Sequence, residues 1–171
     1  MKKEVKFVNT ALNTGVKYTT YPLSRTLNMK KVEIFTDGGC KGNPGPGGYG
    51  CILKQNARIK EIKGGDLQTT NNIMEMTAAI VALKQLQEPC EVRLTTDSQY
   101  VVKGMTEWMK GWISNGWKTA SRQPVKNREL WQELEKVSRP HDIEWIWVKG
   151  HNGHPQNERC DQLANEAIME L

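Results

Sequence analysis

The sequence predicts an α/β fold, a five-stranded mixed sheet flanked by helices on both faces. Three observations point to it. Short apolar stretches are bounded by glycines or short polar turns, as strands are. Longer segments with apolar residues at helical spacing separate the later strands. The first three strands follow one another directly and form a meander, whereas strands separated by helices become parallel neighbours.

Each element has its own signal. Residues 1–30 are rich in Thr, Asn and Lys with weak periodicity and read as a basic, flexible arm; residues 31–171 read as the folded domain. Strands are expected at Val32–Thr36, Gly50–Leu53 and Arg58–Gly64. The segment "NNIMEMTAAIVALKQLQ" is apolar around much of its circumference and predicts a buried helix. "EVRLTTD" is a strand ending on an acid, and "SQYVVKGMTEWMKGW" is a single helix followed by a Gly-studded basic loop. "NRELWQELEKV" predicts an amphipathic helix and "DIEWIWVKG" a strand. "HPQNERCDQLANEAIMEL" predicts a last helix with Pro155 near its start.

Composition narrows the class. A chain of 171 residues with 37% hydrophobic and 25% charged residues suits one soluble domain. No apolar run approaches a membrane span, and no membrane partner is expected. The cysteines Cys40, Cys51, Cys90 and Cys160 lack the paired spacing of a zinc site and fit reduced thiols in a cytoplasmic protein. Net charge is +5, unevenly placed: residues 1–31 carry seven Lys or Arg against one Glu, and the rest carry 17 against 18. Within the body, 103–128 hold six basic residues and one acid, whereas 129–171 hold four against nine. A basic patch beside an acidic region suits a protein that grips a polyanion and holds cations; a solvated charged face is the alternative.

The acids carry the chemistry. In "IFTDGGCKGNPGPGGYG" an apolar strand ends on Asp37 and runs into seven glycines and two prolines. Asp37 is either a turn residue or a ligand at a strand mouth. Asp97, at the end of another strand, is either a helix N-cap or its partner. Sites in open α/β sheets form at the carboxyl ends of parallel strands, so neighbouring strands would bring Asp37 and Asp97 together. Glu75 sits on the buried helix between Met74 and Met76, and no Lys or Arg occurs between Lys63 and Lys84. A buried, unpaired carboxylate costs several kcal/mol, so a cation is its expected partner. Asp161, on the last helix, is either a surface acid or a fourth ligand. His151 is either a loop residue or a proton carrier beside the acids. Carboxylates from separate elements, with no His/Cys set, favour Mg²⁺ or Mn²⁺. Paired ions about 4 Å apart suit in-line displacement at phosphorus.

Competing motifs fail on context. Gly45–Gly50 formally matches G-x-G-x-x-G, but a strand follows it and not the helix that dinucleotide binding requires. No G-K-[ST] follows, and Ser98 and His151 lack a nucleophile elbow.

The motifs "VEIFTDGGCKGNPGPGGYG", "TTNNIMEMTAAIVAL", "TTDSQYV", "GWKTA…PVKN" and "WVKGHNGHPQNERCDQLA" resemble a type 1 bacterial ribonuclease H, from Val32 to the C-terminus. The resemblance implies the ribonuclease H-like fold and hydrolysis of the RNA strand of RNA–DNA hybrids, leaving 5′-phosphate and 3′-hydroxyl ends. It implies that Asp37, Glu75, Asp97 and Asp161 hold two Mg²⁺ ions, with Mn²⁺ able to substitute, and that His151 assists proton transfer or product release. It places Cys40, Asn43, Asn71, Asn72 and Gln99 along the minor groove of the hybrid, where the 2′-hydroxyl marks RNA. Thr70 and Asn127 match a pocket for a DNA phosphate. Trp108 and Trp112 match a region against the DNA strand, with core packing as the alternative for both. The implied state is a monomer.

Two departures remove positive charge. Gln68 stands where members commonly carry arginine, and Ile113 and Ser114 stand where bacterial members commonly carry lysines. Each lost phosphate contact lowers affinity. The arm, with Phe7, Tyr18 and Tyr21 among its lysines, matches no known pattern. It is a tail, a nucleic-acid tether, a targeting leader, or a stretch ahead of an alternative start at Met29. A non-catalytic hybrid-binding module is the rival function, and the presence of all four acids favours the enzyme.

Overall fold

The structure, a computed structural model, describes residues 28–171. The arm residues up to 27, Phe7, Tyr18 and Tyr21 included, lie outside the described residues. Five strands form one sheet: β1 (Lys30–Cys40), β2 (Gly45–Gln55), β3 (Arg58–Thr69), β4 (Cys90–Thr96) and β5 (Asp142–Trp147). Their order is β3-β2-β1-β4-β5. The β1–β2 and β2–β3 pairs are antiparallel, and β1–β4 and β4–β5 are parallel, so the expected mixed sheet is present.

The first three strands run longer than their apolar signals. Pairing of β1 with β2 continues past Asp37↔Gly50 to Cys40↔Gly47, through residues expected to form a turn. The turn itself is confined to 41–44. The reason is helix approach. A Cβ on Gly38 would collide with the backbone of Met74 and Glu75, and one on Gly50 with the Cys160 carbonyl. These glycines let helices lie against the sheet, so the chain stays extended there instead of reversing at once. The parallel ladder of β1 with β4, by contrast, ends at Thr36↔Thr96. Asp37 and Asp97 are each the residue just past that last pair.

Helix α1 (Asn71–Lys84) covers one face, and α5 (Pro155–Met169) covers the other. Alternation along the strands sorts the two cores, since successive side chains point to opposite faces. Val32, Ile34, Cys51 and Leu53 pack with α1 and with Trp131 and Leu134 of α4 (Arg128–Ser138). Phe35 and Ile52 pack with Cys160 and Leu163 of α5. Thr70 caps α1 by accepting from the Ile73 amide at 3.4 Å. His154 Nδ1 caps α5 by accepting from the Asn157 amide, with Pro155 at the first helical position, where its missing N–H costs nothing.

The expected single helix over 98–112 is divided. It consists of α2 (Gln99–Lys103), one π-helical turn over Gly104–Trp108, and α3 (Met109–Ser114). Gly104 packs against the fully buried Trp131, leaving no room for a Cβ. Part of the acidic surplus of 129–171 has a structural partner: Glu166 and Glu170 pair with Lys63 on β3, and Arg159 links Glu61 to Glu166.

Candidate active site

Three carboxylates meet at the end of the parallel ladder. Asp37 lies in β1 one residue past its last partner on β4, Asp97 follows β4, and Glu75 stands in the second turn of α1. Each offers an oxygen within 4.8 Å of the others. Asp37 is 7% exposed and Glu75 is 5% exposed, so the charges are crowded and largely withdrawn from water. Burial, followed by the charges of Asp97 and Asp161, pushes the Asp37 carboxyl up to about 8. Burial, with Asp37 and Asp97 beside it, raises Glu75 well above the usual carboxylate range. Burial raises Asp97 as well, against the pull of its hydrogen bond with Asp37 and the charge of His151. Asp37 Oδ1 accepts from the Gly38 amide at 2.8 Å.

Glu75 Oε2 and Asp97 Oδ1 are buried with no hydrogen-bond donor among the described residues. Buried polar atoms are normally satisfied, and among the described residues no Lys or Arg pairs with this triad. An all-oxygen donor set with orphaned acceptors fits a hard divalent cation. Asp97 is not a helix cap. Ser98 fills that role, its Oγ accepting from the Val101 amide at 3.2 Å. Asp97 is thereby left for the cluster, and its own carbonyl accepts from Trp147 Nε1 at 2.9 Å.

Asp161 stands apart from the triad. It is half-buried on α5, and its charge reaches both Asp37 and Asp97, but its Oδ1 accepts from Asn165 Nδ2 at 3.1 Å. His151 is exposed with a left-handed φ of 53°, in the loop before α5. Its charge favours the ionised form of Asp97, which places it on the triad's side.

The other candidate residues fall into two groups. Cys40, Asn43, Thr70, Asn71 and Asn72 surround the β1–β2 turn and the start of α1. Cys40 Sγ donates to the carbonyls of Gly45 and Thr69, and Asn43 Oδ1 accepts from the Asn71 amide at 2.9 Å. Gln99 is exposed at the start of α2. Trp108 and Asn127 meet through Tyr100: its ring packs edge-on to Trp108, and its hydroxyl accepts from Asn127 Nδ2 and Trp131 Nε1, each at 3.2 Å. Asn127 precedes α4 with a φ of 56°, a conformation asparagine tolerates well. Trp112 is half-buried and packs on Trp131 with ring centroids 5.2 Å apart.

Gly150 escaped sequence reasoning. A Cβ there would strike Asp97 Oδ2, so a larger residue would push that carboxylate out of its place beside the loop before His151. Its signal was position, a glycine next to a candidate catalytic residue. Gly38, beside Asp37, carried the same signal.

The sequence model of the RNase H family matches residues 29–169. The "Ribonuclease H" of Hydrogenovibrio crunogenus is 60% identical over 143 residues, covering 84% of this chain and 99% of that protein. Among solved structures, LC9-RNase H1, a type 1 RNase H with the type 2 active-site motif, aligns with a TM-score of 0.76 at 34% identity. The alignment covers 83% of this chain and 74% of that one. LC11-RNase H1, solved in complex with RNA/DNA hybrid, aligns with a TM-score of 0.62 at 27% identity, covering 81% and 97%. The strand order, the triad at the end of the parallel ladder and the match over nearly all described residues agree, and the chain belongs to the ribonuclease H family.

Proposed function

We propose that the chain is a metal-dependent endonuclease that hydrolyses the RNA strand of RNA–DNA hybrids, leaving 5′-phosphate and 3′-hydroxyl ends. The observation that carries this reading is the triad, with two buried oxygens that lack a donor among the described residues. Family membership and the hybrid bound to LC11-RNase H1 support the substrate.

In this reading Asp37, Glu75 and Asp97, with Asp161, hold two Mg²⁺ ions, and Mn²⁺ can substitute. Bound there, such ions supply an activated water and charge neutralisation at the leaving oxygen. The chain's own residues do the rest. The triad's fixed oxygens are organised before substrate arrives, so little reorganisation is left for the reaction itself. Gly38 and Gly150 admit α1 and the His151 loop to close range. His151, exposed beside the triad, exchanges protons with the reacting phosphate or helps the product leave. Cys40, Asn43, Asn71, Asn72 and Gln99 meet the minor groove, where they read the 2′-hydroxyl. Thr70 and Asn127 take a DNA phosphate, and Trp108 rests on the DNA strand. The protein acts as a cytoplasmic monomer; its four cysteines are free thiols, as a reducing compartment keeps them.

The test is a substrate panel. In Mg²⁺ the protein is expected to cut labelled RNA–DNA hybrid and to leave duplex RNA and duplex DNA intact, with 5′-phosphates on the new RNA ends. Equal cutting of duplex RNA would remove the hybrid assignment.

A further inference from the structure

Asp161 is the fourth acid, yet its carboxylate is held elsewhere. Asn165 lies one helical turn further along α5, and its Nδ2 donates twice to Asp161, to the backbone carbonyl at 2.9 Å and to Oδ1 at 3.1 Å. Residues four apart on a helix face each other, so this clamp is built into the helix itself. The charge of Asp97 repels the Asp161 carboxylate, and the Asn165 amide offers it a donor on the solvent side. Asp161 is accordingly absent from the set of oxygens that lie within 4.8 Å of one another.

We propose that Asn165 is a positioning residue that holds the Asp161 carboxylate outside the triad, so that Asp161 becomes a ligand only by leaving the Asn165 amide. The proposal rests on the reading of the four acids as a cation site. It makes the last ligand conditional: three carboxylates are in place beforehand, and the fourth must exchange a hydrogen bond for a cation. The clamp opposes cation binding by as much as it favours the held position, because a ligand shifts an equilibrium only by its differential affinity for the two states.

The test uses the whole protein without nucleic acid. Mg²⁺ binding is measured by calorimetry for wild type, Asn165→Ala, Asp161→Asn and the double variant. Asn165 is exposed in mid-helix, where alanine is favourable, so its variant keeps the fold. Removing the clamp is expected to tighten Mg²⁺ binding about three- to ten-fold, the effect of a partly exposed hydrogen bond to a charged group. The gain should vanish in the Asp161→Asn background, and the Asp161 carboxyl ¹³C resonance should move in metal-free Asn165→Ala. Unchanged or weaker binding by Asn165→Ala, or a gain that persists without Asp161, overturns the clamp. Hybrid cleavage by the wild type tests the underlying reading separately: an active enzyme with no Asn165 effect removes the clamp alone, and an inactive one removes the reading.

Discussion

At the scale of single residues, the proposed role of the triad is one that trades stability for chemistry. In the metal-free protein Asp37 keeps a proton up to about pH 8, whereas the unfolded chain loses it in the ordinary carboxylate range. Between those limits the native state binds more protons than the unfolded one, so stability falls as pH rises through the window. Asp37→Asn removes that contribution. In EDTA its melting temperature is expected to match wild type near pH 4 and to exceed it increasingly towards pH 8. A variant that melts below wild type at pH 8 would make Asp37 a structural residue. His151→Ala is expected to slow hybrid turnover roughly 10²-fold without abolishing it, the low end of what one general acid–base group contributes. A loss as complete as that from removing a triad acid, measured in the same assay, would place His151 at the centre of the chemistry. Much at this scale was legible in the sequence, because a buried acid with no nearby cation is a contradiction that sequence alone displays, as at Glu75. The assignment of Ser98 over Asp97 as helix cap was not legible, since both residue types cap helices and only geometry decides between them.

Secondary-structure elements hold the residues in place, and here glycine is the recurrent device. Gly38 brings α1 onto β1 close enough for Glu75 to reach Asp37, and Gly104 seats the π-helical turn on Trp131. The order of elements was readable from apolar periodicity. The lengths of β1 and β2 were not, because glycines carry no strand signal of their own even where helices on both faces hold the chain extended. The break in the tryptophan helix escaped for a similar reason: its cause is a contact with Trp131, 27 residues away in sequence. Gly104→Ala would force the Trp131 indole aside, with an expected cost of about 1–3 kcal/mol for overpacking. Chemical denaturation followed by tryptophan fluorescence checks this, since Trp108, Trp117 and Trp131 each make a ring contact with Trp112. Unaltered stability would mean that the π-helical turn is free to move.

The whole molecule raises the question of charge. Lys30 and Lys31, which inflate the basicity of the first 31 residues, belong to β1, where Lys30 pairs with Glu88. Residues 1–27 still hold five Lys or Arg against one Glu. A chain starting at Met29 keeps every strand and every candidate ligand, so it is expected to fold and to cleave hybrid with a similar maximal rate. Its KM should rise, and log affinity should fall less steeply with log salt, because fewer counterions are released from the phosphates. Hybrid binding across a salt series checks this, and identical slopes for the two chains would make the arm inert. The central claim, that the acids beyond Thr36 and Thr96 form a cation-dependent nuclease centre, is tested most directly by single-turnover hydrolysis of labelled hybrid across a Mg²⁺ titration, with wild type beside Asp37→Asn. Wild-type cleavage should rise from zero with Mg²⁺ and saturate, while Asp37→Asn binds the hybrid with near-wild-type affinity and leaves it intact at every concentration. Cleavage without divalent cation, or near-wild-type turnover by Asp37→Asn, would contradict the account.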